Sequence, residues 1–160
     1  MTTKRQEWRW QKSMRVLIDT NVILDVLCNR QGFVEDASKI LKFCEVNKIE
    51  GYISALSVPN IVYILRKELD VGKIKEILGK LSLIFKISDL KADDLKKAAN
   101  LMFDDYEDAL QSVCAGRIKA NYIITRNIKD FTHSKVVAIK PSELLERMAN
   151  CQSKIRFGLK

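Results

Sequence analysis

Short apolar runs alternate along the chain with longer stretches in which apolar residues recur every three or four positions. The short runs predict strands, and the longer stretches predict helices between them. The predicted strands are residues 15–19, 51–54, 81–87, 122–125 and 136–139. The predicted helices are residues 21–28, 34–48, 59–69, 71–78, 93–102, 105–119 and 141–147. This alternation is typical of an α/β fold, here a three-layer α/β/α sandwich around a mostly parallel, Rossmann-like sheet.

The length of 160 residues suits one domain with its own core. No apolar stretch approaches the ~20 residues of a membrane span, and the four cysteines form no CxxC pair. We therefore expect a cytoplasmic protein with reduced thiols, no zinc site and no membrane partner.

The net charge of +8 is concentrated at the two ends of the chain. Residues 1–13 contain four basic and one acidic residue, and residues 151–160 contain three basic and no acidic residues. We expect a basic N-terminal extension over 1–13, a domain over 14–149 and a basic tail over 150–160. The extension is a candidate non-native segment, because Met14 directly precedes the first predicted strand.

Asp19 directly follows the apolar run of the first predicted strand. In open α/β sheets the carboxyl ends of the strands face the ligand crevice. A carboxylate there is costly to desolvate unless it is paired or bound to a cation. Asp19 is therefore a candidate functional residue.

A second acidic group begins the helix predicted for residues 105–119. Asp105 and Asp108 are three positions apart and share a face, so they repel each other and Asp19. Oxygen ligands without a neighbouring histidine or cysteine favour magnesium or manganese. A solvated acidic helix start, favoured by the helix dipole, explains these residues equally well. The residues of this helix predicted to pack on the sheet are Tyr106, Ala109, Leu110, Val113 and the aliphatic stem of Arg117.

Polar residues also follow the fourth predicted strand. If the first and fourth strands are neighbours at a topological switch point, Thr125 reaches the vicinity of Asp19. Asn127 and Asp130 then lie on the adjoining loop. Taken alone, Asn127 is explained as a turn residue and Asp130 as the cap of a turn.

Four segments in this order resemble one family: VLIDTNV at 16–22, ISALS at 53–57, DYEDAL at 105–110, and IITRN at 123–127 with Asp130-Phe131. Together they are similar to the PIN-domain family, above all to the VapC-like toxin ribonucleases of bacterial type II toxin–antitoxin systems. The resemblance covers about residues 14–148. It implies a PIN-like parallel sheet with acidic residues at its carboxyl edge.

The resemblance also implies roles for single residues. Asp19 and Asp108 match metal ligands, and Asp105 matches an accessory carboxylate. Two acidic positions of the family fall on Asn60 and on Asn127, a candidate catalytic residue, so we expect one firmly held ion. The supporting candidates around them are Asn21, Asn60, Glu107, Thr125 and Asp130.

The function implied is that of an endoribonuclease dependent on Mg²⁺ or Mn²⁺, with RNA as substrate. A toxin of this kind pairs with a small antitoxin protein that covers the acidic groove. The alternative is a catalytically degenerate PIN module that binds RNA or a protein partner. A homodimer is a further expectation, although such apolar stripes usually belong to the core; its residues would be Val26, Leu27, Phe33, Ile40 and Phe43.

Other enzyme classes lack their motifs. His133 is the sole histidine and has no serine or cysteine motif nearby, which argues against a nucleophilic triad. The glycine-rich phosphate-binding motifs of nucleotide cofactor sites are absent from the sequence.

Overall fold

The computed structural model describes residues 14–156. Its five strands form one sheet in the order β3-β2-β1-β4-β5, and all four pairings are parallel. The strands are β1 Arg15–Ile18, β2 Glu50–Ser54, β3 Lys86–Ser88, β4 Tyr122–Ile124 and β5 Ala138–Ile139. The helices are α1 Thr20–Leu27, α2 Val34–Glu45, α3 Ser57–Leu65, α4 Val71–Ile84, α5 Ala92–Ala99, α6 Tyr106–Arg117 and α7 Pro141–Arg156, with a 3₁₀ turn at Ile128–Phe131.

The central strand β1 has a different apolar layer on each face, because side chains alternate along a strand. Val16 and Ile18 belong to the larger core, which includes residues of α1, α2, α3, α4 and α7. Leu17 belongs to a second core with Cys114 and Ala115 of α6. Helices therefore cover both faces, and the predicted three-layer α/β/α sandwich is confirmed.

The chain order reverses beside β1. From β1 the chain passes to β2 and β3 on one side, and β4 and β5 lie on the other side. The backbone N–H of Asp19 donates to the carbonyl of Ile124 at 2.9 Å, so the ends of β1 and β4 lie together. The predicted switch point is thus present, and ligand sites of open α/β sheets form at such points.

The predicted third strand, residues 81–87, is wrong over most of its length. Residues 81–84 complete α4, and β3 begins only after that helix ends. Ile74 and Leu81, seven positions apart, are both buried, whereas Leu83 is 89% exposed. This is the spacing of an amphipathic helix, and it outweighs the local run of apolar residues.

Two further expectations need correction. Tyr106 does not pack on the sheet: it is 48% exposed, and its hydroxyl donates to the carbonyl of Leu95 on α5 at 2.9 Å. Ala109 and Leu110 are buried as predicted. The last helix continues through Arg156, past its predicted end at residue 147.

The apolar residues suggested for a dimer mostly serve the core. Ile40 is fully buried, and Val26, Leu27 and Phe43 pack against the larger core. Phe33 remains 45% exposed. The stripe therefore has a structural explanation, and the dimer stays a prediction.

The described part of the chain bears on two remaining expectations. All four cysteines are free thiols. No helix within residues 14–156 has the length and apolarity needed to cross a bilayer. The predicted basic extension, residues 1–13, lies outside the described residues, as do residues 157–160.

Candidate active site

Asp19 lies at the carboxyl end of β1 and is only 4% exposed. It occupies the N-cap position of α1, with an extended backbone. Gln111 Nε2 donates to Asp19 Oδ1 at 3.1 Å, and Thr125 Oγ1 donates to Oδ2 at 2.9 Å. Burial raises the pKa of Asp19, and these two hydrogen bonds oppose the rise. The carboxylate is therefore fixed in position by α6 and β4.

The start of α6 supplies three more carboxylates. Asp105 caps the helix: its Oδ1 accepts from the backbone N–H of Glu107 at 2.7 Å and of Asp108 at 3.3 Å. Capping thus gives part of the acidic cluster a structural role that the sequence analysis did not predict for Asp105. Asp105 itself is exposed.

The surroundings of Asp108 oppose its ionisation. Burial, followed by the charges of Asp105, Asp19, Asp130 and Glu107, raises its pKa to about 7. A carboxyl group surrounded by carboxylates ionises reluctantly because each added negative charge repels the others. The site is therefore strongly electronegative and would be relieved by a bound cation.

Asn60 and Glu107 connect α3 to α6. Asn60 Nδ2 donates to Glu107 Oε1 at 2.8 Å. Burial raises the pKa of Glu107, and the charges of Asp105 and Asp19 add to the rise. At this position, where the resemblance implied an acidic residue, Asn60 thus places an amide next to a carboxylate of α6.

Thr125 and Asn127 shape the edge of the site next to β4. Thr125 is fully buried, and its Oγ1 accepts from the backbone N–H of Asn127 at 3.0 Å. Asn127 precedes the 3₁₀ turn that contains Asp130, and both residues are exposed. Asn127 therefore serves a turn, as the structural alternative proposed, while remaining accessible from the site.

A cleft of about 420 Å³ at the carboxyl edge of the sheet brings the candidates together. Eight of the nine predicted residues line it: Asp19, Asn21, Asn60, Asp105, Glu107, Asp108, Asn127 and Asp130. The ninth, Thr125, donates a hydrogen bond to Asp19. The other residues that line the cleft are Thr20, Leu24, Tyr63, Ile64 and Gln111.

Gln111 is the site residue that sequence reasoning missed. It is 1% exposed, and its Oε1 has no hydrogen-bond partner among residues 14–156. The available signal was its position three residues after Asp108, which places it on the same helical face. A glutamine on the buried side of a helix requires a polar partner, and Asp19 provides one.

The cleft fits an oxygen-ligated divalent cation in its chemistry. It offers carboxylate and amide oxygens, and neither histidine nor cysteine lines it. The partnerless Gln111 Oε1 adds a buried acceptor beside Asp19. Within residues 14–156, no three Asp, Glu, His or Cys side chains are grouped closely enough to enclose an ion. Two carboxylates, amide oxygens and water would therefore have to complete the coordination.

Comparisons with known proteins identify the family of the chain. The family model of the PIN domain matches residues 15–129. Over 143 residues the chain is 27% identical to Ribonuclease VapC1 of Aquifex aeolicus (strain VF5), covering 84% of this chain and 96% of that protein.

Solved structures show the same fold at low sequence identity. VapBC2 from Rickettsia felis, bound to a promoter DNA fragment, matches with a TM-score of 0.63 and 17% identity, covering 79% of this chain and 98% of that chain. A toxin–antitoxin complex from Klebsiella pneumoniae matches with a TM-score of 0.61 and 21% identity, covering 79% of this chain and 97% of that chain. The family model matches well over half of the length of this chain. The chain therefore belongs to the PIN-domain family, and it is similar to the VapC-like ribonucleases within that family.

Proposed function

We propose that this protein is a divalent-metal-dependent endoribonuclease and the toxin of a toxin–antitoxin pair. The observation that carries the proposal is the convergence of Asp19 and Asp108 on one cleft at the topological switch point. Burial and neighbouring carboxylates raise the pKa of Asp108 to about 7, as expected for a cleft with unbalanced negative charge. The similarity to Ribonuclease VapC1, which extends over 96% of that protein, adds support.

Asp19 and Asp108 would hold Mg²⁺ or Mn²⁺. When bound, such an ion lowers the pKa of a water molecule and neutralises charge on the scissile phosphate. Thr125 and Gln111 keep both oxygens of Asp19 in place, so the carboxylate needs to move little when a metal ion binds. Asp105, fixed by its capping bonds, would orient a water molecule with its remaining oxygen.

A small antitoxin is the proposed protein partner. Several solved relatives of the same fold are toxin–antitoxin complexes, such as the one from Klebsiella pneumoniae. The open, electronegative cleft suits a basic side chain, since an arginine or lysine would neutralise the carboxylates as a cation does. An antitoxin peptide that inserts such a residue would compete directly with metal.

A specific observation favours a second candidate, a degenerate module that binds RNA without cleaving it. Asn60 occupies a position that the family fills with an acid, and it donates to Glu107, so one carboxylate is engaged by an amide. If that hydrogen bond persists, Glu107 contributes less negative charge around a cation held by Asp19 and Asp108. The ion would then bind too weakly to support turnover.

RNA cleavage tests the two candidates. Purified protein would be incubated with a mixed single-stranded RNA pool in Mg²⁺, Mn²⁺ or EDTA. We expect cleavage with either metal, none in EDTA, and a loss of orders of magnitude on Asp19→Asn. Asp93→Asn, an exposed acidic residue of α5 outside the cleft, is the matched control and should cleave normally. Intact RNA under every condition would favour the degenerate module.

A further inference from the structure

A second hollow adjoins the acidic cleft on the side of β4. It has a volume of about 590 Å³ and is lined by Arg126, Asn127, Ile128, Lys129, Asp130 and Lys140. Asn127 and Asp130 line both spaces, so the two are contiguous. The cleft is lined by five carboxylates and no cation, whereas this hollow has three cations and one carboxylate. We refer to it as the basic hollow.

Arg126, which lines the basic hollow, is held in place by two contacts. It follows Thr125 directly in the chain. Its Nη1 lies 3.2 Å from Oδ1 of Asp25, a residue of α1 that is 1% exposed. Its guanidinium also stacks on Phe33, 4.5 Å from the ring centroid. Because Asp25 also pairs with Arg30 at 3.3 Å, one carboxylate serves two guanidinium groups and positive charge remains.

Lys129 and Lys140 contribute the remaining positive charge. Both are exposed. Neither forms an ion pair with an acidic group of residues 14–156, in contrast to Lys73 and Lys80, which both pair with Glu76. Their ammonium groups are therefore available to an anion at the edge of the acidic cleft.

An RNA strand approaching the acidic cleft meets repulsion from Asp19, Asp105, Glu107, Asp108 and Asp130. Affinity for a polyanion must come from cations nearby, because phosphate contacts dominate nucleic-acid binding. The basic hollow is the space that joins the cleft and is lined mainly by cations.

We propose that the basic hollow is a phosphate subsite that binds the RNA backbone next to the scissile bond. Arg126 provides a fixed guanidinium at its wall, and Lys129 and Lys140 contact the adjoining phosphates. This inference rests on the proposed function, since it specifies how the same site holds RNA. The strand would pass from the hollow, past Asn127, into the acidic cleft.

RNA binding without cleavage tests the subsite separately from catalysis. The affinity of the full chain for a fluorescent single-stranded RNA oligonucleotide would be measured in EDTA over a series of salt concentrations. Lys129→Ala/Lys140→Ala should weaken binding about tenfold and lower the slope of log K against log[salt] by about 1.4, or 0.7 per lost phosphate contact. Lys129→Arg/Lys140→Arg should retain the slope, since charge is preserved.

The control is Lys75→Ala/Lys96→Ala, which removes the same charge from exposed positions of α4 and α5 outside both spaces. It should keep the affinity and slope of the wild type. In cleavage assays, Lys129→Ala/Lys140→Ala should raise KM about tenfold and leave kcat within about twofold, because its contacts act on binding.

Two results would overturn the subsite. One is an unchanged salt slope in Lys129→Ala/Lys140→Ala; the other is an equal loss in the Lys75→Ala/Lys96→Ala control. Either can occur while metal-dependent cleavage persists, which would leave the nuclease in place without this subsite. Conversely, a normal slope change in a protein that cleaves no RNA would support the subsite and reject the nuclease.

Discussion

Thr125 donates a hydrogen bond from Oγ1 to Oδ2 of Asp19 over 2.9 Å, although the two residues are 106 positions apart in the chain. Parallel pairing of β1 with β4 brings them together. The same Oγ1 accepts from the backbone N–H of Asn127, so one hydroxyl links the buried carboxylate to the loop that borders the cleft. The site is thus assembled by the order of the strands.

Thr125→Val should destabilise the protein by about 1–3 kcal/mol at pH 7, because a buried carboxylate and a backbone N–H both lose a partner. Urea denaturation of the two proteins measures the difference. Thr125→Ser keeps the hydroxyl and should lose much less. Equal stability of Thr125→Val and the wild type would show that the hydrogen bond does not restrain Asp19.

Asp108 should make stability depend on pH in a defined direction. Its folded pKa of about 7 lies above the ordinary value of 3.8, so the folded state binds the extra proton. The stability it contributes is complete below pH 3.8 and is lost as pH rises to about 7. Asp108→Asn should therefore gain about 1 kcal/mol over the wild type at pH 8, a value reduced for solvent screening, and nothing near pH 4.

That comparison would be made by urea denaturation in metal-free buffer at several pH values. Asp93→Asn serves as the control, since this exposed residue lies outside the cleft. A wild type whose stability relative to Asp108→Asn stays constant from pH 4 to pH 8 would contradict the electronegative site.

Manganese should raise the melting temperature of the wild type. An ion that binds the folded state alone stabilises it by about 2.7 kcal/mol at a hundred times its Kd. Asp108→Asn should lose most of this rise, because one of the two proposed ligands no longer carries charge. The readout is thermal unfolding with and without millimolar Mn²⁺. A wild-type melting curve unaffected by Mn²⁺ would remove the main physical reason for a metal site.

Asn60→Glu should have opposite effects with and without metal. The new carboxylate faces Glu107, which now accepts from Asn60 at 2.8 Å, so the metal-free variant should melt at a lower temperature. Its affinity for Mn²⁺ should increase, since the substitution adds a carboxylate to the cleft that Asn60 lines. Asn60→Gln, which keeps the amide, is the control. Unaltered metal affinity with intact folding would mean that position 60 does not face the ion.

Asn127→Asp should likewise tighten binding of Mn²⁺, because Asn127 lines the same cleft and the substitution adds one negative charge. Calorimetric titration measures the affinity. The turn should tolerate the change, since aspartate and asparagine both suit it. Weaker binding than in the wild type would show that the amide itself is the better ligand.

The sequence identified the residues that line the cleft better than the contacts between them. Asp19 and the acidic start of α6 were identifiable because a carboxylate at the end of an apolar strand and clustered like charges both require an explanation. The contact of Gln111 with Asp19 was not predictable, because it depends on the rotation of α6 against the sheet. The bond between Asn60 and Glu107 likewise depends on the spacing between α3 and α6.

The fold shows where local pattern fails. The alternation of strands and helices was enough to predict a parallel three-layer arrangement. Residues 81–84 were predicted as strand because four neighbouring residues are mostly apolar, yet their helical register with Ile74 decides the outcome. Tyr106 was placed on the sheet by periodicity, but α5 provides its hydroxyl with an acceptor near the surface. The partner of Tyr106 lies on another helix, outside its local window, whereas the window over residues 81–84 is too short to include Ile74.

The most direct test of the account is a double-mutant cycle on RNA cleavage in Mn²⁺, with the wild type, Asp19→Asn, Asp108→Asn and the double variant. If the two carboxylates hold one ion, each single variant should lose at least about 100-fold in rate, and the double variant should be little slower than either. Cleavage by Asp19→Asn at the rate of the wild type, or its absence from all four proteins, would contradict a metal-dependent ribonuclease site in this cleft.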